Sequence, residues 1–449
     1  MWFPYKQDYS RLNVPYTKGT RLPGERASKL GHLQVVNSPL VNKLVDEFTS
    51  TEIRENRQAV KWEELNPTAD TLPIVFGVDG SQQVINENKP PYKSIMFVKT
   101  AILKMDFYKL SKLDKDAPNP FALRDMLKDS AVFHSTVFPL RNVRIADMST
   151  YHTIRHVVYD SLKDDLDGSV LETLKWIAYE KWQNEKKSLQ IFECPHCRKT
   201  VASLEYNELE GICTSCKEHI YITDMLGFHQ EMVEDAASQN VPSTYRSIHE
   251  TLLLFTGIRY FWEHEKHNLP KCLFVKDGPL SLRAQYSKLV NPIRRFIKFA
   301  KDKGIEVHIL GQEKTGNFVD HLHMISNSAP NTKIRIFIPS SDYIKKEIQN
   351  RPLDGADYGK DTNYAAKVFV LVGNYHKLVL NIPTYVFQAS PSYSDLIGAD
   401  RIFSSLPGIL GNKYEDSLLP VELANGIASL STYPSSTILK LFAESKGII

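Results

Sequence analysis

Apolar positions in this chain fall into two kinds of run. Short, dense runs of β-branched and aromatic residues predict buried strands, and runs recurring every three or four positions predict helices laid against them. Two of the dense runs share an ending. Ile74-Val75-Phe76-Gly77-Val78 leads into Asp79-Gly80, and Leu273-Phe274-Val275-Lys276 leads into Asp277-Gly278. The glycine permits a sharp exit from a sheet, so each aspartate is expected at a strand end with its carboxylate presented outward. One Asp-Gly is ordinary turn chemistry. Two such strands in one chain point to a shared carboxylate site, which suits a divalent cation and its hard oxygen ligands.

The remaining pattern fills in a sheet. Residues 94–106 predict a second strand, joined to the first by a turn over 81–91, and 131–139 a third. Helical spacing runs through 148–187. It returns at 243–264, with Ser243 as N-cap and Glu250 set among apolar neighbours. Residues 282–304 form a basic amphipathic pattern, followed by a strand at 306–311. Strand, helix, strand in that order makes part of the sheet parallel. Further strands are expected at 333–338, 366–372 and 378–382, and one or two helices within 416–446. Residues 1–70 are mostly polar, with short helical patterns at 40–48 and 54–65, and read as an arm. The organisation expected is therefore an arm (1–70), a core in two parts (71–187 and 226–449) and an insertion between them (188–225).

The insertion carries the most specific local signal. Cys194-Pro195-His196-Cys197 and Cys213-Thr214-Ser215-Cys216 are two Cys-x-x-Cys knuckles separated by 15 residues. Four thiolates at this spacing suit tetrahedral zinc, and all-cysteine ligation leaves no open position, so the site should be structural. His196 and His219 are not expected to be ligands. Such a ribbon either contacts nucleic acid or protein, or simply clips a long insertion. Composition narrows the rest. The chain of 449 residues is 42% apolar with a net charge of +3, enough for a sizeable core and no advertisement of a nucleic-acid binder. No window reaches a transmembrane length, and the opening residues lack a signal peptide's apolar stretch. A soluble, cytoplasmic protein is expected.

Taken together, Val78-Asp79-Gly80-Ser81, a helical acid, Val275-Lys276-Asp277-Gly278-Pro279-Leu280 and a strand followed by Lys314 resemble the NurA nucleases, across 72–430 without the insertion. The resemblance implies a mixed α/β, RNase H-like fold and manganese- or magnesium-dependent DNA cleavage. It also implies a homodimer docked on a HerA-type hexameric ATPase, in DNA end processing or antiviral defence. By position, Asp79 would be the first metal ligand, Asp277 the second carboxylate and Glu250 the helical acid, with Glu263 and Glu265 also close in sequence. Lys314 would meet DNA phosphate or the attacking water. The chain departs from the family in three places. Asn425 stands where a histidine is expected, with His321 and His323 as substitutes; Pro279 replaces a usual serine; and the zinc ribbon is extra. Two rivals from other classes fit the residues less completely. One is a non-catalytic DNA-binding adaptor that loads a translocase. The other is a zinc-ribbon transcription or replication factor, which leaves the paired Asp-Gly strands unexplained. The basic helix suits either a phosphate backbone or plain solvation.

Overall fold

The computed structural model describes residues 35–48, 60–111, 131–183, 189–232, 240–326, 333–373, 376–411 and 416–449. Chain contacts divide it into two units, 1–58 and 59–449. In the first unit, helix α1 (Pro39–Glu47) starts on a proline, which suits the first helical turn, and buries none of its residues. All that follows concerns the second unit.

That unit opens with a short edge strand, β1 (Glu63–Leu65). The helix expected over 54–65 is thus irregular chain at 60–62 and a strand at 63–65; residues 54–59 lie outside the described residues. Trp62 stands edge-on to Phe337 at 6.2 Å, which gives the segment an apolar anchor on the sheet. The long strands are β2 (Ile74–Asn86), β3 (Ser94–Asp106) and β4 (Ala131–Arg141). The insertion supplies β5 (Leu189–Glu193), β6 (Thr200–Glu205), β7 (Glu210–Ile212) and β8 (His219–Tyr221), in two small ribbons. The main sheet continues with β9 (Cys272–Asp277), β10 (His308–Glu313), β11 (Ile334–Phe337), β12 (Ala365–Val372) and β13 (His376–Pro383).

The nine-stranded order is β1-β11-β12-β13-β10-β9-β2-β3-β4. Strands β2, β3 and β4 form an antiparallel meander. β9 joins β2 in parallel, and β10 joins β9 in parallel. This is the expected mixed α/β sheet, with the crossover between β9 and β10 made by the helical segment 284–302.

Helices cover both faces. On one lie α2 (Thr150–Asp164), α3 (Ser169–Ala178), α4 (Asn240–His264) and α5 (Val290–Asp302), in one buried cluster with Phe76, Val78 and Phe274. Phe76 and Phe274 are cross-strand partners whose rings stack at 4.8 Å. Helix α6 (Asn317–Ile325) packs with Phe369 and Val379 farther along the sheet. On the other face α7 (Ala399–Ile409) and α8 (Leu419–Ala428) cover Val75, Leu273, Val275 and Leu310. A last helix, α9 (Ser435–Ser445), rests on Ile85 and Ile95. The alternation of β2 between the two clusters is the period of two that a sheet buried on both sides requires.

The ribbon is not a detached appendage. Phe192, Ala202, Leu204 and Ile220 belong to the same buried cluster as α2, α3 and α4. Tyr151 and Tyr179 donate their hydroxyls to the Pro195 and Leu204 carbonyls, at 2.7 and 2.9 Å. Arg155 makes a two-pronged pair with Asp224 at 2.9 and 2.8 Å, both side chains buried.

Candidate functional site

The two Asp-Gly strands are neighbours. Their register pairs Val78 with Lys276, so Asp79 and Asp277 come next, side by side, on one face. One expectation is corrected here. Asp79 does not end its strand: β2 runs on to Asn86, paired with β3 through its whole length, and the turn expected over 81–91 begins only after Asn86. It is β9 that ends, at Asp277. The flank of β2 is therefore left open at Asp79 and Gly80, which produces the same opening by a different route. Continued pairing with β3 holds Asp79 in the sheet and leaves it 3% exposed.

Two glycines set how closely the helices approach this gap. A Cβ on Gly77 would run into the Pro420 carbonyl oxygen of α8, and one on Gly80 would lie 2.6 Å from Glu250 Oε1 of α4. Alternation therefore turns Asp79 and Asp277 towards the α8 face, while Glu250 enters from the α4 face beside Gly80. Each outer carboxylate has a lysine. Lys314 Nζ is 2.9 Å from Asp277 Oδ1, and Lys276 Nζ is 3.1 Å from Glu250 Oε2. Asp79 accepts a 2.6 Å bond from the Gly80 amide. Burial, then the charges of Asp277 and Glu250, push the Asp79 carboxyl up to about 8, against the partial offset of Lys314.

These residues fit a hard divalent cation in donor type. Among the described residues Asp79 is an oxygen donor with no ion pair of its own, and a bound cation would favour its charged form against burial and the two neighbouring acids. The three carboxylates are not drawn into one tight cluster. Among the described residues, two groups have three or more ligating atoms all within 4.8 Å of one another, and neither includes these carboxylates.

The first group is Cys194, Cys197, Cys213 and Cys216. Cys194 and Cys216 sulfurs are 3.7 Å apart, and those of Cys197 and Cys213 are 3.9 Å apart. Thiolates about 2.3 Å from a tetrahedral zinc stand roughly 3.8 Å from one another, so the quartet fits zinc. All four thiols are free of disulfides.

The second group, His134, Asp165 and His249, has no sequence signature, because its members come from β4, the turn after α2, and α4. All three are buried. Burial pushes the His249 imidazole down to about 4. Burial would raise Asp165, but hydrogen bonds from His134 and His249 hold it down to about 2.

The other sequence candidates lie elsewhere. His321 shares a 2.9 Å hydrogen bond with the Tyr343 hydroxyl, and His323 is 3.7 Å from Asp416. Both sit on the plain helix α6. Asn425 is half-buried on α8, the helix over β2 and β3. The basic helix commits several of its cations to contacts within the protein. Arg294 donates to the Lys360 carbonyl at 2.8 Å, Arg295 reaches Glu180 at 2.6 Å, and Lys301 lies 3.5 Å over the Tyr385 ring.

No family model matches the chain, and no curated protein matches it. Among solved structures, one described as a crystal structure of NurA overlaps 94% of this chain and 98% of its own, at 11% identity and a TM-score of 0.31. That is a distant resemblance of structure, too loose to assign an activity or a residue. Among the described residues, no helix is long and apolar enough to cross a membrane.

Proposed function

We propose that this chain is a divalent-metal-dependent nuclease that hydrolyses phosphodiester bonds in DNA. The observation that carries the reading is the placement of Asp79 beside Asp277 at the point where β9 ends, with the Asp79 carboxyl raised by burial and then by the charges of Asp277 and Glu250. Asp79 and Asp277 would hold the cation, manganese or magnesium, and Glu250 would support it from the opposite face. When bound, such a cation activates water and stabilises the leaving oxygen. Lys314 keeps Asp277 oriented and brings positive charge to the exposed lip of the gap, where a phosphate would arrive. The four-cysteine ribbon would hold zinc and brace the helical layer. A HerA-type ATPase, a two-copy assembly and a role in DNA end processing or antiviral defence come with the sequence resemblance and complete the proposal.

One test is cleavage by Asp79→Ala. Loss of at least about a hundredfold is expected, with an unchanged circular dichroism spectrum; undiminished cleavage would sink the assignment. A second reading has its own support. Glu250 and Asp277 are lysine-paired, the three acids are spread, and Asn425 replaces the family's histidine. A non-catalytic DNA-binding adaptor would show the opposite separation: DNA binding kept, and no metal-dependent cutting from the wild type.

A further inference from the structure

The His134–Asp165–His249 group reads as a hydrogen-bond chain once the direction of each bond is worked out. An ionised Asp165 only accepts. His134 Nδ1 is 3.1 Å from its Oδ1, and His249 Nε2 is 2.8 Å from its Oδ2, so both imidazoles donate to it. In the neutral tautomer each ring's other nitrogen accepts. Tyr245 OH lies 3.0 Å from His134 Nε2, and Thr100 Oγ1 lies 2.8 Å from His249 Nδ1, both hydroxyls able to donate. All four ring nitrogens are thus partnered, with no conflict between donors and acceptors. The rings stack at 4.3 Å. Every ring nitrogen has a hydrogen-bond partner within the protein, so the group is complete as a hydrogen-bond chain.

The chain ties four elements together: Thr100 on β3, His134 on β4, Asp165 in the turn after α2, and Tyr245 with His249 one turn apart on α4. The turn is held at a cost. Leu166 and Asp167 follow Asp165 with φ of 47° and 54°, left-handed values that non-glycine residues adopt only when their surroundings impose them. Glu250 is the next residue after His249. Thr100 is the register partner of Gly80, the residue whose missing side chain admits Glu250. We propose that Thr100, His134, Asp165, Tyr245 and His249 are positioning residues that lock α4 against β3 and so place Glu250 beside Gly80. Its catalytic consequence rests on the nuclease reading; its structural part does not.

The test compares Thr100→Val, which removes the hydroxyl and keeps the shape, with Thr100→Ser, which keeps the hydroxyl. Asp165→Asn serves as a third variant. Amide hydrogen exchange over 244–251 should quicken by roughly tenfold in Thr100→Val and Asp165→Asn. It should stay near wild type in Thr100→Ser, and exchange over 419–428 should be unchanged in all three. Equal exchange over 244–251 in every variant would overturn the proposal, whether or not the protein cuts DNA. If the wild type cuts, the metal concentration for half-maximal cleavage should rise roughly tenfold in Thr100→Val, with the rate at saturating metal within about twofold. A fall in the saturating rate alone would contradict the positioning role. A wild type that does not cut would end the nuclease reading and leave the exchange result to decide the clamp. Metal content gives a last check. A tightly held metal beyond the cysteine-bound zinc, lost in Asp165→Asn and kept in Asp79→Ala, would make the group a metal site and overturn the clamp.

Discussion

At the scale of single residues, Asp79 is the unusual one. Its carboxyl is held at about 8 in the folded protein, against an ordinary value near 3.8. A carboxyl raised on folding contributes stability below its unfolded value and loses it as pH climbs towards the folded one. Without added metal, the wild type should therefore fall in stability relative to Asp79→Asn between about pH 4 and pH 8, then run parallel to it. Adding manganese should stabilise the wild type and leave Asp79→Asn where it was. Denaturant melts across that pH range check both; a constant difference would show that Asp79 carries no such burden. The two glycines beside it differ in what an added methyl would strike. Gly77→Ala meets a backbone carbonyl, whereas Gly80→Ala meets the ends of the Glu250 and Arg246 side chains, which can swing away. Gly77→Ala should cost about 2–3 kcal/mol, the overpacking range, and Gly80→Ala less, with its damage seen in metal affinity instead.

At the scale of elements, the ribbon and α2 stand or fall together. Arg155 and Asp224 are both nearly sealed from water, at 4% and 5% exposure. Arg155→Ala leaves a buried carboxylate without its partner and should cost about 3–5 kcal/mol. Chemical denaturation of that variant measures it, and a loss below about 1 kcal/mol would mean that the pair is a surface contact in solution. What could be read from sequence at this scale follows the density of the signal. The apolar runs that became β2, β9 and β12 are continuous because both faces are buried, and the knuckle spacing of the cysteines is local. The rest of β2 was hidden because Ser81, Gln82 and Gln83 are polar and only half-buried, as a turn would be. Helix α7 carries Pro407 and Gly408, which look like breakers, yet its apolar stripe of Ile402, Phe403 and Leu406 is fully buried. Tertiary burial there outweighs local propensity. The hydrogen-bond chain through His134, Asp165 and His249 had no spacing to betray it, since it exists only after three distant segments pack.

At the scale of the whole molecule, the sheet brings its chemistry to one line where the parallel strands stop. A chain that ends β9 at Asp277 while β2 continues makes a notch, and the notch collects Asp79, Asp277, Glu250, Lys276 and Lys314. The motifs in sequence put Asp79 and Asp277 on two strands, and the sheet makes those strands neighbours. The motifs did not foretell that Glu250 would enter from the face opposite the two aspartates, because that depends on which side of the sheet α4 covers. Cleavage of linear and circular DNA by the full chain decides most directly between a nuclease and an adaptor. Manganese, magnesium and EDTA should be compared, for wild type and Asp277→Ala, each with and without a HerA-type ATPase. Metal-dependent cutting by the wild type, abolished by EDTA and by Asp277→Ala, is the predicted result. DNA binding without cutting under every condition, or cutting that survives both EDTA and the substitution, would contradict it.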